Sequence, residues 1–248
     1  IDIGGTKTSF GFVDRSGNNI YAQSIETKPL DSAKKFVARL HQQIEETRAR
    51  LTSPHHLCGI GIGVPNAHSF RGTIEEPVNL RWGHRVNIVK LIKQYYDVPI
   101  SITNDAKAAA IGEMLFGNAR GMKNFIVITL GTGLGSGIVV DGRLLYGHSG
   151  FAGELGHTVV NPDGRQCRCG KNGCLETYVS ATGIVKTVSE LLAVRREASL
   201  LRFISYSDIT SKLIFELAKE GDVIALAAFD RTARILGMKL ADAVAHMS

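Results

Sequence analysis

The chain has 248 residues, 44% of them hydrophobic and 21% charged, which fits one large folded domain or two lobes and excludes a disordered or fibrous protein. No apolar run approaches the roughly 20 residues that span a bilayer, and no leader-like segment opens the chain. The formal net charge of +6 comes from basic residues scattered among acids, as in "RLHQQIEETRAR", so nucleic-acid binding is not expected and an anionic small substrate is compatible.

In chain order, "IDI" reads as the end of a strand and "GGT" as a turn. "KTSFGFV" and "IYAQSIET" then alternate as strands around the polar turn "DRSGNN". Residues 31–51 place Phe36, Val37, Leu40, Ile44 and Leu51 at helical spacing, with Asp31 or Ser32 as N-cap. "CGIGIGVP" is a short buried strand, "VNIVKLIKQYYD" a second amphipathic helix, "VPISITNDA" a strand running into a turn, and "AKAAAIGEMLFG" a helix. Alternation of strands and helices makes the chain α/β. "NFIVITLGTGLGSGIVVDGRLLYG" repeats the opening pattern of strand, Gly/Thr turn, strand, polar turn and strand, with Asp141-Gly142 as a hairpin turn. Such a duplication predicts two lobes about a cleft, 1–117 and 118–248. Beyond residue 178 the pattern is helical. The chain opens inside a strand and closes on a helix, so segments are expected to be missing at both ends.

Four motifs carry chemistry. In "DIGGTK", Gly4 and Gly5 let the backbone approach a ligand, Thr6 adds a hydroxyl, Lys7 a cation, and Asp2 a carboxylate able to face magnesium. The same residues would also make an ordinary tight turn. "LGTGLGSG" holds Gly131, Thr132 and Gly133. It is neither a Walker loop nor a dinucleotide fingerprint, because no GK[ST] and no helix follows, and its pairing with the first turn favours a phosphate cradle. In "ITNDAKAA", Asn104 and Asp105 sit between a strand and a helix. An Asp there is either an N-cap or a carboxylate that accepts the proton of an attacking hydroxyl, with Asn104 holding a neighbouring hydroxyl. Finally His157, Cys167, Cys169 and Cys174 follow H-x9-C-x-C-x4-C, a full tetrahedral zinc set with no position left for water and hence a structural site. Glu154 and Glu176 flank it, and carboxylates hydrogen-bond sugar hydroxyls well. Cysteines clustered this tightly do not form a secreted disulfide framework, so a reduced, cytoplasmic setting is expected.

Taken together, "DIGGTK", "EPVNLRW", "TNDAKAAAIGE", "ITLGTGLGSGIVVDGRLLYGHSGFAGELGH" and "CRCGKNGCLETYVS" resemble the ROK family of sugar kinases and sugar-responsive repressors, over Ile1 to about Gly183 and most like its bacterial glucokinases. The resemblance implies an actin/hexokinase-like (ribonuclease H-like) duplicated two-lobe ATPase fold with a zinc-binding loop, acting in carbohydrate metabolism and glycolysis. It implies transfer of phosphate from ATP, with Mg2+, to the 6-hydroxyl of a hexose, glucose first. Asp105 matches the catalytic base. Asn104, Glu154, His157 and Glu176 match sugar-binding residues, and Asn79 of "EPVNL" is a further contact. Gly4 to Lys7 and Gly131 to Gly133 match the two phosphate loops. The four-residue set from His157 to Cys174 matches the structural zinc ligands. A homodimer is implied as well.

The resemblance implies a further strand and a nucleotide-contacting turn, expected in the missing C-terminal segment. The alternatives are a kinase for N-acetylglucosamine, N-acetylmannosamine, mannose or fructose, and a sugar-sensing repressor with a helix-turn-helix ahead of this segment. The intact GGTK turn and Asn-Asp pair favour the kinase.

Overall fold

The computed structural model describes residues 1–51, 55–77 and 80–247. Asn79 lies outside them. Two compact units emerge, one of Ile1–Lys123 with Gly137–Ala152 and one of Asn124–Ser136 with Gly153–Ser248. The sequence reading places a single boundary after Gly117, whereas the chain passes between units three times. The physical reason is the hairpin that follows Gly137: it packs on the first unit's helix of residues 105–115, and a Cβ on Gly137 would press against Ala106 O and the Ala110 methyl.

The first unit is built on a five-stranded sheet of order β3-β2-β1-β4-β8. Strands β1 (Asp2–Ile3), β2 (Lys7–Val13) and β3 (Asn19–Glu26) form an antiparallel meander. Helix α1 (Ala33–Arg48) crosses over to β4 (Ile60–Gly63), which lies parallel to β1. Ser32 caps α1 by accepting from the Lys35 amide, and Phe36, Val37, Leu40 and Ile44 turn its buried stripe onto Ile3, Phe10 and Ile62. Three very short strands, β5 (Ala67–His68), β6 (Thr73–Glu75) and β7 (Arg85–Val86), make a second antiparallel sheet.

Helix α2 is only Ile88–Ile92, shorter than the sequence pattern implies. The chain leaves it in tight turns because Tyr96 folds inward, its hydroxyl 3.0 Å from His41 Nδ1, and because Pro99 demands extended backbone before it. Strand β8 (Ile100–Thr103) then adds parallel to β4, and α3 (Asp105–Leu115) follows at once. Later, the end of β10 (Leu134–Val140) pairs with β11 (Arg143–Leu144) across Asp141-Gly142. Both turn residues have positive φ, the left-handed pair that the Asp-Gly signal calls for.

The second unit contains β9 (Phe125–Leu130), the Gly131–Gly133 turn and the start of β10, so strand, turn and strand follow one another there as in β1–β2. A 3-10 turn (Leu155–His157) leads into the cysteine-rich loop. Helices α4 (Glu176–Val179), α5 (Ala181–Val194), α6 (Ser211–Lys219) and α7 (Val223–Met247) complete it. Their core is Ile184, Val188, Leu191, Leu201, Ile214, Leu217 and Ile224. No described helix is long and apolar enough to cross a membrane.

Candidate active site and metal centre

In the first unit, parallel pairing aligns the ends of three strands. Asp2 is in register with Gly63, and Gly63 with Thr103. With strands about 4.8 Å apart, the Asp2 and Thr103 backbones stand about 10 Å from each other. Asn104 and Asp105 come directly after Thr103. Gly63 sits between the two carboxylate-bearing residues: a Cβ on it would lie 3.6 Å from Asp105 Cα and 3.9 Å from Asp2 Oδ1. The side chain of Asp2 reaches solvent, yet loss of water around its carboxyl raises its pKa, and the Asp105 charge raises it further.

Asn104, rather than Asp105, is the N-cap of α3. Its Oδ1 accepts from the Ala106 and Lys107 amides, which leaves its Nδ2 to donate. Asp105 is the first helical residue, with Oδ1 on the Ala106 amide at 2.8 Å and no ion pair among the described residues. A carboxylate there is stabilised by the helix N-terminus and keeps an oxygen for a ligand. Two positions on, Lys107 is 2% exposed; its Nζ donates to Gly150 O at 2.8 Å and lies 5.5 Å from the Tyr146 ring centroid. In sequence this lysine sits between Ala106 and Ala108, which reads as an ordinary helix face and gives no sign of its burial.

The Gly4–Lys7 turn closes on a bond from the Gly4 amide to Lys7 O at 3.0 Å. A Cβ on Gly4 would come within 2.7 Å of that same oxygen, so only glycine fits. Thr27 fastens the turn from β3: its hydroxyl donates to Gly4 O and its amide to Thr6 O. Thr6 and Lys7 point to solvent.

In the second unit, the Gly131–Gly133 turn is held at Gly131, at Thr132 and at Leu134, the residue that follows it. The Ala181 amide donates to Gly131 O at 2.9 Å, the Thr182 hydroxyl to Thr132 O at 3.0 Å, and the Leu134 amide to Glu176 Oε2 at 2.9 Å. A Cβ on Gly133 would collide with that carboxylate. Glu176 Oε1 lies 3.9 Å from Cys167 Sγ. Glu176 therefore braces the glycine turn against the metal loop, a contact its position after Cys174 does not announce. Glu154 precedes the 3-10 turn that carries His157. Buried Ser136 fixes this segment by donating to Gly153 O and accepting from the Leu155 amide.

The ligand atoms of His157, Cys167, Cys169 and Cys174 lie within 4.8 Å of one another. Cys169 Sγ is 3.6 Å from Cys174 Sγ, and Cys167 Sγ 3.6 Å from His157 Nδ1. Tetrahedral Zn–S bonds of about 2.3 Å place two sulfurs about 3.8 Å apart, so the set fits zinc. Burial, with the two neighbouring thiols, pushes Cys174 up to about 12, and burial also raises Cys167. Burial works the same way on Cys169, but bonding from the Lys171 amide and the other thiols outweighs it and leaves that thiol lowered. Because Nδ1 faces the thiols, Nε2 is the ring nitrogen that His157 has left to offer.

Comparison with known proteins decides the relationship. The ROK family model matches residues 1–248. The chain belongs to the ROK family. It is 36% identical over 250 residues to a glucokinase of Halalkalibacterium halodurans, covering 98% of this chain and 74% of that protein. Its fold matches the crystal structure of a ROK family glucokinase from Streptomyces griseus in complex with glucose and AMPPNP, with a TM-score of 0.79 and 35% identity over 99% of this chain and 78% of the other. It also matches a ROK family transcriptional regulator, a homologue of the E. coli MLC protein, with a TM-score of 0.86 and 28% identity over 99% of this chain and 61% of that one. The actin/hexokinase-like fold of ROK sugar kinases is therefore that of this chain.

Proposed function

We propose that this ROK protein is an ATP-dependent hexose kinase acting on the 6-hydroxyl of glucose. The observation that carries the reading is Asp105 at the first turn of α3, with an oxygen to spare and Asp2 on the far side of Gly63, two strands away. Asp105 accepts the proton of the sugar hydroxyl as that oxygen attacks phosphorus. Asn104 donates from Nδ2 to an adjacent hydroxyl. Glu154, His157 through Nε2, and Glu176 bind the remaining hydroxyls. The Gly4–Lys7 and Gly131–Gly133 turns receive phosphate oxygens on backbone N–H groups, and Lys7 offsets charge on the transferring group. Asp2 would hold a magnesium ion, which supplies charge neutralisation at the phosphates. Positioning and electrostatics carry most of the rate in such transfers. Zinc held by His157, Cys167, Cys169 and Cys174 is structural in this reading, and the protein works in the cytoplasm as a homodimer.

A coupled ADP-release assay of the full-length protein against glucose, mannose, fructose, N-acetylglucosamine and N-acetylmannosamine tests the proposal. Turnover highest on glucose supports it, and higher turnover on another sugar reassigns the substrate. The second reading, a sugar-responsive transcriptional regulator, draws on the likeness to the MLC homologue. No turnover on any sugar, together with sugar-dependent DNA binding, would select it.

A further inference from the structure

Arg165 lies in the metal loop, two residues before Cys167, where an arginine ordinarily reads as a solvated loop charge. Here its side chain is only 9% exposed. Nη1 donates to Thr177 O at 2.6 Å and to Gly183 O at 2.9 Å, Nη2 to Thr187 Oγ1 at 2.8 Å, and Nε to Glu190 Oε1 at 2.7 Å. Four of the five guanidinium N–H groups are thereby engaged. The guanidinium carbon also lies 4.4 Å from the Tyr178 ring centroid. Its backbone joins in: the Arg165 amide donates to Tyr178 Oη, and Arg165 O accepts from the Gly173 amide beside Cys174.

These contacts tie α4, through Thr177 O and the Tyr178 ring, to α5, through Gly183 O, Thr187 and Glu190. Thr177 and Tyr178 are the residues directly after Glu176, and a four-residue helix cannot fix its own direction with intrahelical bonds. Thr177 O is a terminal carbonyl that finds its donor in Arg165. From the other side Glu190 is shared with Arg231 of α7, 3.1 Å away, so the clamp is anchored in the helical core. The planar fork is essential: an ammonium in its place is a point charge that cannot reach two carbonyls, a hydroxyl and a carboxylate at once.

We infer that Arg165 is a positioning residue that sets the direction of α4, and so the place of the Glu176 carboxylate, independently of the metal. This rests on the reading of Glu176 as a sugar ligand. A wrong direction of α4 weakens ground-state and transition-state binding alike, so it raises the sugar KM and leaves kcat nearly unchanged. A staple that only added stability would lower the melting temperature and leave both constants alone.

The test is calorimetric titration of glucose into full-length wild type, Arg165→Met and Arg165→Lys well below their melting temperatures, with zinc content and steady-state kinetics alongside. The expected result is glucose affinity weakened about tenfold or more in Arg165→Met. Arg165→Lys fails to restore it, zinc content matches wild type, and kcat at saturating glucose stays within about threefold. Wild-type glucose affinity in folded, zinc-replete Arg165→Met overturns the inference. So does loss of zinc in step with loss of affinity, which would route the effect through the metal. Should Arg165→Met not fold, Arg165→Lys carries the test, and wild-type affinity there overturns it. A wild type that binds no sugar overturns the sugar-site reading itself, a result distinct from a wild type that binds and a variant that equals it.

Discussion

Replacing Glu176 with alanine removes the acceptor of the Leu134 amide, and the structure gives the size of the effect. The bond is 2.9 Å long, its acceptor is a carboxylate oxygen, and the residue is half-buried. Hydrogen bonds to charged groups contribute about 1.5–3 kcal/mol, and partial exposure favours the lower half, about 1.5–2 kcal/mol. For a domain of this size that lowers the melting temperature by about 3–8 °C. The other two anchors, Ala181 to Gly131 and Thr182 to Thr132, survive, so the turn loosens at Gly133 and Leu134 only. AMPPNP affinity should then fall by up to about thirtyfold if the whole loss appears in binding. Glu176→Gln separates the brace from the charge: its amide oxygen still accepts from Leu134, so it loses only the charge's share of about 0.5–1 kcal/mol and melts about 1–4 °C below wild type, less than the alanine variant, while glucose affinity falls. Scanning calorimetry with AMPPNP and glucose titrations on both variants decides. An alanine variant that melts and binds AMPPNP like wild type would refute the brace. A glutamine variant destabilised as much as alanine would show that charge, and not the bond to Leu134, is what counts.

Two further outcomes are expected. Asp222 caps α7: its carboxylate accepts from the Ile224, Ala225 and Leu200 amides and the Ser199 hydroxyl. Burial pushes its pKa up, but those bonds outweigh it and leave it lowered. A lowered carboxyl contributes stability that is complete above the unfolded value of about 3.9 and lost as pH falls through the folded one. Asp222→Ala should therefore melt about 2–8 °C below wild type at pH 7, from a cap contribution of about 1–2 kcal/mol, with the gap closing below about pH 4. An equal gap at every pH in calorimetry would contradict the assignment. Cys169→Ala should lose zinc by elemental analysis and weaken glucose binding as well as stability, because the loop carries His157 and abuts Glu176; normal glucose affinity in a zinc-free variant would break that link.

Much of the site was legible because its chemistry is local. The H-x9-C-x-C-x4-C spacing alone brings four ligand atoms together, and the stripe of Phe36, Val37, Leu40 and Ile44 alone defines α1. Features that depend on distant partners were not. Strands β5–β7 are two or three residues long and carry no readable period. The stretch Gly137–Ala152 joins the first unit through packing on α3, which nothing in its own residues signals. Asn104 takes the cap that Asp105 equally fits by type, and only the backbone of β8 and α3 settles which. Arg165, Ser136 and Lys107 look like loop, strand and helix-surface residues until their buried partners are seen.

The central claim is that Asp105 is the base of a sugar phosphorylation. General-base removal costs about a hundredfold or more in rate. ADP release with saturating glucose, measured on wild type and Asp105→Asn at matched glucose occupancy, tests it most directly. The account predicts glucose binding close to wild type in Asp105→Asn with turnover reduced by at least about a hundredfold. Substantial kinase activity in Asp105→Asn would contradict it.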